Sequence, residues 1–153
     1  MPKLSTLAME ECAIRLTPAT RGALANLSQL EFLDLSHNSL VLAPDVSSLH
    51  QLSALHLSNA GLREVPEGVF RLDQLHILDL SDNGISEIPV DLLHTRAPFN
   101  EESDLRGNPL SAPSLERLRQ YYQRTGVDFQ VQAATVDAQD NPLVVTYPDS
   151  EED

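Results

Sequence analysis

Asp34, His56 and Asp79 are the residues best placed to do chemistry, because each fills the same slot in a recurring stretch: Leu33-Asp34-Leu35, Leu55-His56-Leu57 and Leu78-Asp79-Leu80. Two carboxylates beside an imidazole could hold a divalent ion or pass a proton. Both uses need an enclosed site. On an open surface the groups stay solvated, so the expected reading is a charged but inert ladder. His37, His50, His76 and His94 form no HExxH or comparable spacing, and no metal site is expected. The six glycines are scattered, with no phosphate-cradling GxGxxG run and no nucleophile elbow. Cys12 is the single cysteine, which excludes an internal disulfide or a multi-cysteine zinc module. It sits where a small buried side chain is expected rather than a reactive thiol, whose activation needs an exposed electropositive setting. No catalytic residue and no cofactor are therefore assigned.

The slots recur because the chain repeats. Leu30, Leu33, Leu35, Asn38 and Leu40 spell LxxLxLxxNxL, and Leu75, Leu78, Leu80, Asn83 and Ile85 spell it again. Leu52, Leu55, Leu57, Ala60 and Leu62 keep the frame with alanine at the asparagine position, and Leu4, Leu7, Met9, Cys12 and Ile14 keep it with cysteine there. Asn100, Ser103, Leu105, Asn108 and Leu110 retain its second half. The steps between frames lie within the ~20–29 residues of leucine-rich repeats. In LxLxx the leucines alternate as on a strand, and each strand buries that face only by stacking on its neighbour. Asparagine enters the following turn, where its amide can satisfy backbone groups that the bend leaves unpaired. Pro18, Pro44, Pro66 and Pro89 then open each convex segment, which needs no ladder hydrogen bond. The expected fold class is α/β: a leucine-rich-repeat solenoid with parallel strands on the concave face and short helices or turns on the convex face.

The first frame has no polar cap before it, so the segment is expected to be excised from a longer array. At the other end Ser111-Ala112-Pro113-Ser114 carries helix-start chemistry, Leu115, Leu118 and Tyr122 recur at spacings of three and four, and Gly126 is a stop. A capping helix is expected over about 114–124, and one short strand over the alternating Val127, Phe129 and Val131. Residues 132–153 hold six acidic residues and no Lys or Arg, with Pro142 and Pro148, and read as an acidic flexible tail or linker. The expected division is thus a repeat domain over 1–131 and a tail over 132–153.

Stacking writes out the concave columns. Thr6, Phe32, Ala54, Ile77 and Glu102 form one; Ala8, Asp34, His56, Asp79 and Asp104 form the next. Phe32, Ala54 and Ile77 are expected to make an exposed apolar stripe beside an acidic row, with Phe32, Asp34, His56, Ile77 and Asp79 as partner contacts. A spacer with no dedicated ligand is the alternative. The net charge of −13 argues against nucleic acid and anionic membrane surfaces, and no apolar run is long enough for a signal peptide or a membrane span. The expected partner is a protein, bound by a monomer. Low cysteine content fits a cytosolic compartment.

One stretch is more specific than the repeats. Asp104-Leu-Arg-Gly-Asn-Pro-Leu-Ser-Ala-Pro-Ser-Leu-Glu-Arg-Leu-Arg-Gln-Tyr-Tyr-Gln-Arg-Thr-Gly126 resembles the end of the repeat array in large bacterial proteins that carry an IpaH-like ubiquitin ligase domain. The resemblance extends over roughly residues 4–130. It implies a bacterial effector or toxin-like parent, secreted into host cytoplasm, whose repeats recognise substrate or restrain a cysteine-dependent ligase. The family's catalytic CxD motif has no counterpart here: Cys12 is followed by Ala13 and Ile14.

Overall fold

The computed structural model describes residues 4–131 and the backbone of 135–136 and 142–143. Four strands, β1 (Thr6–Ala8), β2 (Phe32–Asp34), β3 (Ala54–His56) and β4 (Ile77–Asp79), form one parallel sheet in sequence order. Their register aligns Thr6, Phe32, Ala54 and Ile77 in one row and Ala8, Asp34, His56 and Asp79 in another. Asp104 extends the second row through a single bridge to Asp79. Beyond it, the Leu105 N–H donates to the Phe129 carbonyl at 2.9 Å.

The core follows from that register. Leu33, Leu55 and Leu78 are each 0% exposed, and Leu30, Leu52, Leu75, Leu35, Leu57 and Leu80 join them in one continuous cluster. A three-residue strand has too few ladder bonds to hold itself; burial of about 1.5–3 kcal/mol per leucine is what fixes it. The turn after each strand is set by asparagine. Asn83 Oδ1 accepts from the N–H groups of Ala60 (2.9 Å) and Leu62 (3.0 Å), while its Nδ2 donates to Leu57 O (2.9 Å) and Leu80 O (3.0 Å). Asn38 does the same one step earlier, accepting from Cys12 and Ile14 and donating to Met9 O and Leu35 O. Each amide thus joins two repeats. The residue just before this position has positive φ in every frame: Glu11, His37, Asn59, Asp82 and Gly107. At Gly107 (φ +78°) a Cβ would stand 2.2 Å from Asp82 Oδ1 and 3.1 Å from Asp82 Cα, so a side chain there would have to displace the Asp82 carboxylate.

The convex segments differ in kind. Pro18 opens a true helix, α1 (Pro18–Ala25), whose Thr17 hydroxyl accepts from the Thr20 N–H while the Thr17 N–H donates to the Thr20 hydroxyl. Later segments tighten to 3₁₀ turns at Val69–Arg71 and Val90–His94. Helix α2 (Ala112–Thr125) starts two residues before the expected boundary because Ser111 is its N-cap, and it ends at left-handed Gly126. Its buried Leu115, Leu118, Tyr121 and Tyr122 face the preceding repeat. Ser114 Oγ accepts from Ile88 N–H (2.8 Å) and donates to Ser86 O (3.1 Å), and Arg117 donates to Ile88 O (2.8 Å). Phe99 sits among Phe70, Tyr121 and Phe129, with ring centroids 5.4–6.5 Å apart.

Two expectations are corrected. Cys12 is exposed, and so, on the same edge of the described sheet, are Leu4 and Met9 at 39% and 38%. Its place is defined by its backbone N–H on Asn38, not by a buried side chain. Residues 127–131 make a turn rather than a strand, with Phe129 and Gln130 at positive φ. The alternation there arises because the turn sends Phe129 and Val131 into the core. The expected acidic tail lies outside the described residues, apart from the antiparallel pairing of Thr135–Val136 with Pro142–Leu143.

Candidate functional site

Strands β2, β3 and β4 turn Leu33, Leu55 and Leu78 inward and their flanking residues outward, because successive side chains alternate. Phe32, Asp34, His56, Ile77 and Asp79 all lie half-buried on that outward face. The expected apolar stripe is interrupted, however. Ala54 is only 8% exposed, since its single methyl lies between the bulkier Phe32 and Ile77 of its own row. Phe32 leans away from the row, with its ring centroid 5.3 Å from that of His56 on the next strand. The apolar features of the face are therefore two separated side chains.

His56 Nδ1 stands 3.9 Å from Asp79 Oδ2, too long for a hydrogen bond but close enough for strong attraction. The Asp79 carboxylate, outweighing burial and helped by Asp34, raises the His56 pKa above its ordinary 6.5. For Asp79 burial is the largest single influence and pushes upward. The His56 ring and hydrogen bonds from the Ser81 N–H (3.0 Å) and Oγ (2.7 Å) together outweigh it and hold the carboxyl below 3.8.

Those serine contacts were the signal missed in the sequence. Asp34-Leu-Ser36 and Asp79-Leu-Ser81 are turns in which one carboxylate oxygen accepts the N–H two residues on, at 2.9 and 3.0 Å. Asp104 does the same for Arg106, whose guanidinium folds back onto it at 2.8 Å. Ser58 N–H donates to Ser36 Oγ, and Ser58 and Ser81 hydroxyls lie 2.9 Å apart. Each aspartate is thus half occupied by its own turn. Among the described residues no group of three or more His, Cys, Asp or Glu side chains could hold a metal ion. The arrangement offers charge, two apolar side chains and one histidine, all open to solvent.

Residues 29–50 and 74–95 each match the family Leucine Rich Repeat. The chain contains a leucine-rich-repeat region. The matched segments hold β2 and β4, and the third frame between them carries the same strand, turn and register. No match emerges among curated proteins. Leucine-rich repeats commonly mediate protein–protein interaction, and no helix among the described residues is long and apolar enough to cross a membrane.

Proposed function

We propose that the outward face of the β-sheet, the concave side of a solenoid formed by residues 1–131, binds a protein partner through Phe32, Asp34, His56, Ile77 and Asp79. The observation that carries this reading is the common register: five side chains from three strands share one solvent-facing surface while their leucine neighbours are sealed inward. Two half-buried apolar groups can anchor a partner, and Asp34 and Asp79 favour one whose contacting groups are basic. The resemblance of residues 104–126 to the end of IpaH-like repeat arrays supports a finer reading. In it the region is the substrate-recognition or regulatory part of a secreted bacterial ubiquitin ligase effector, and residues 132–153 are an acidic tail leading onward.

Immobilised chain and a Phe32→Ala/Ile77→Asp variant, exposed to the same host-cell extract, test the binding face. The reading expects a partner whose affinity falls at least about tenfold in the variant, equivalent to about 1.4 kcal/mol. Equal capture by both chains, in which Phe32 and Ile77 contribute nothing, overturns it. Ligase linkage has a separate test in the parent reading frame beyond Asp153. A helical domain bearing a CxD motif supports it, and a stop codon removes the linkage while leaving the binding face to stand.

A further inference from the structure

Asn83 is followed by Gly84, the single asparagine–glycine step in the chain. Such a step carries its own reactive pair. The glycine amide nitrogen can attack the asparagine Cγ, because no side chain obstructs the approach and the glycine backbone turns freely. The other turn asparagines lack this pairing. Asn38 is followed by Ser39, whose side chain crowds the approach, and Asn108 by Pro109, whose nitrogen has no proton to give up. Nor does the fold demand glycine at 84: its φ is outside the left-handed region, and a Cβ there would come no closer than 3.4 Å to the Leu62 carbonyl oxygen.

In the folded chain both reacting groups are held by the preceding frame. Asn83, only 8% exposed, accepts from Ala60 and Leu62 through Oδ1 and donates to the Leu57, Leu80 and Ser81 carbonyls through Nδ2. The Gly84 N–H donates to the Leu62 carbonyl at 2.7 Å. Leu62 thus grips both ends of the pair: its N–H fixes the group to be attacked, and its carbonyl covers the proton that must leave the attacking nitrogen. Turning Cγ toward the Gly84 nitrogen strains all the side-chain bonds together, in a buried site where each unmade bond is costly.

We propose that Asn83-Gly84 is a deamidation site gated by the joint between the third and fourth frames, with water as its co-reactant. When the joint opens, hydroxide takes the Gly84 amide proton and the nitrogen bonds to Cγ. The Cγ–Nδ2 bond breaks, and Nδ2 leaves as ammonia after taking a proton from water. Water then opens the cyclic imide at either carbonyl, giving aspartate or isoaspartate. Neither product restores the joint. Aspartate sets a carboxylate oxygen against the Leu57, Leu80 and Ser81 carbonyls, where a donor stood. Isoaspartate routes the backbone through the former side chain and lengthens the turn. An opening of the repeats is thereby recorded as a lasting covalent change, whatever the strand face binds.

The test is peptide mapping by mass spectrometry on the full chain, held at one mildly alkaline pH and one temperature, in buffer and in urea above the unfolding transition. In urea Asn83 should convert well ahead of Asn38, with isoaspartate among the products, and Gly84→Ala should remove that lead. In buffer the conversion should be at least about a hundredfold slower, the suppression supplied by a joint that is open less than about one part in a hundred of the time. Leu55→Ala, which loosens the stack without touching the reactive pair, should raise the rate in buffer toward that in urea. Suppression by less than about a hundredfold, an unfolded chain in which Asn38 keeps pace with Asn83, or a Leu55→Ala rate in buffer no higher than wild type overturns the proposal. So does a converted chain that, returned to buffer, unfolds at the urea midpoint of the unconverted one.

Discussion

Asn83→Ala removes the amide that ties the third frame to the fourth. Oδ1 is the acceptor for the Ala60 and Leu62 N–H groups, and Nδ2 donates to the Leu57 carbonyl; all three partners lie in the preceding frame. The Leu80 carbonyl keeps a second donor in Asn108 and the Ser81 carbonyl keeps one in Asn59 N–H, so these two survive the substitution. Two buried donors and one acceptor are left unpaired, each costing about 1–3 kcal/mol if no water replaces the amide. Position 60 shows how the backbone can adapt when alanine occurs naturally: there Leu40 N–H donates to Ala60 O at 3.2 Å. Partial closure of that kind brings the expected loss to about 2–5 kcal/mol, a large share of a typical 5–15 kcal/mol. Urea unfolding followed by circular dichroism measures it as a fall in midpoint at unchanged slope. Ser39→Ala, exposed and without a side-chain hydrogen bond, is the control and should stay within about 0.5 kcal/mol. A loss below about 1 kcal/mol for Asn83→Ala would refute the amide's role in joining repeats.

Leu55→Ala, at a fully buried position in the middle strand, should cost about 2–5 kcal/mol in the same assay. Val41→Gly should be neutral or stabilising by up to about 1 kcal/mol, because relief of positive φ offsets the added unfolded-state entropy; a clear loss would show that the valine side chain contributes to the body of the fold. The His56–Asp79 pair has a pH signature. The raised histidine contributes stability present below pH 6.5 and lost as pH rises through its folded pKa; the lowered aspartate contributes stability present above pH 3.8 and lost as pH falls through its own. The difference between wild type and Asp79→Asn should therefore peak between about pH 4 and 6.5 and stay under about 1 kcal/mol, since both side chains are about a quarter exposed. A difference flat from pH 4 to 9 contradicts the pairing.

Register was legible in the sequence because it is overdetermined: the leucine spacing that buries Leu33, Leu55 and Leu78 also aligns Phe32 with Ala54 and Ile77. Helix α2 was legible too, its stop in Gly126 and its start to within two residues of Ser111, which act through local backbone chemistry. What escaped depends on neighbours in space. Ala54 is buried between two larger side chains from other strands, and Cys12 lies exposed on the edge strand's side of the described sheet. The aspartate row was read as free charge, whereas the Asp-Leu-Ser spacing turns one oxygen of Asp34 and of Asp79 onto their own backbones. The turn at Phe129 defeated an alternation rule because positive φ can send alternate side chains to one side without a strand.

The account rests on inward leucines and outward intervening residues, and methyl NMR with a soluble paramagnetic agent measures that division directly. The account predicts contacts linking Leu33 to Leu55 and Leu55 to Leu78, with their methyl signals protected while those of Ile77 broaden. Leu55 methyls broadened as strongly as those of Ile77, without contacts to both neighbours, would contradict it.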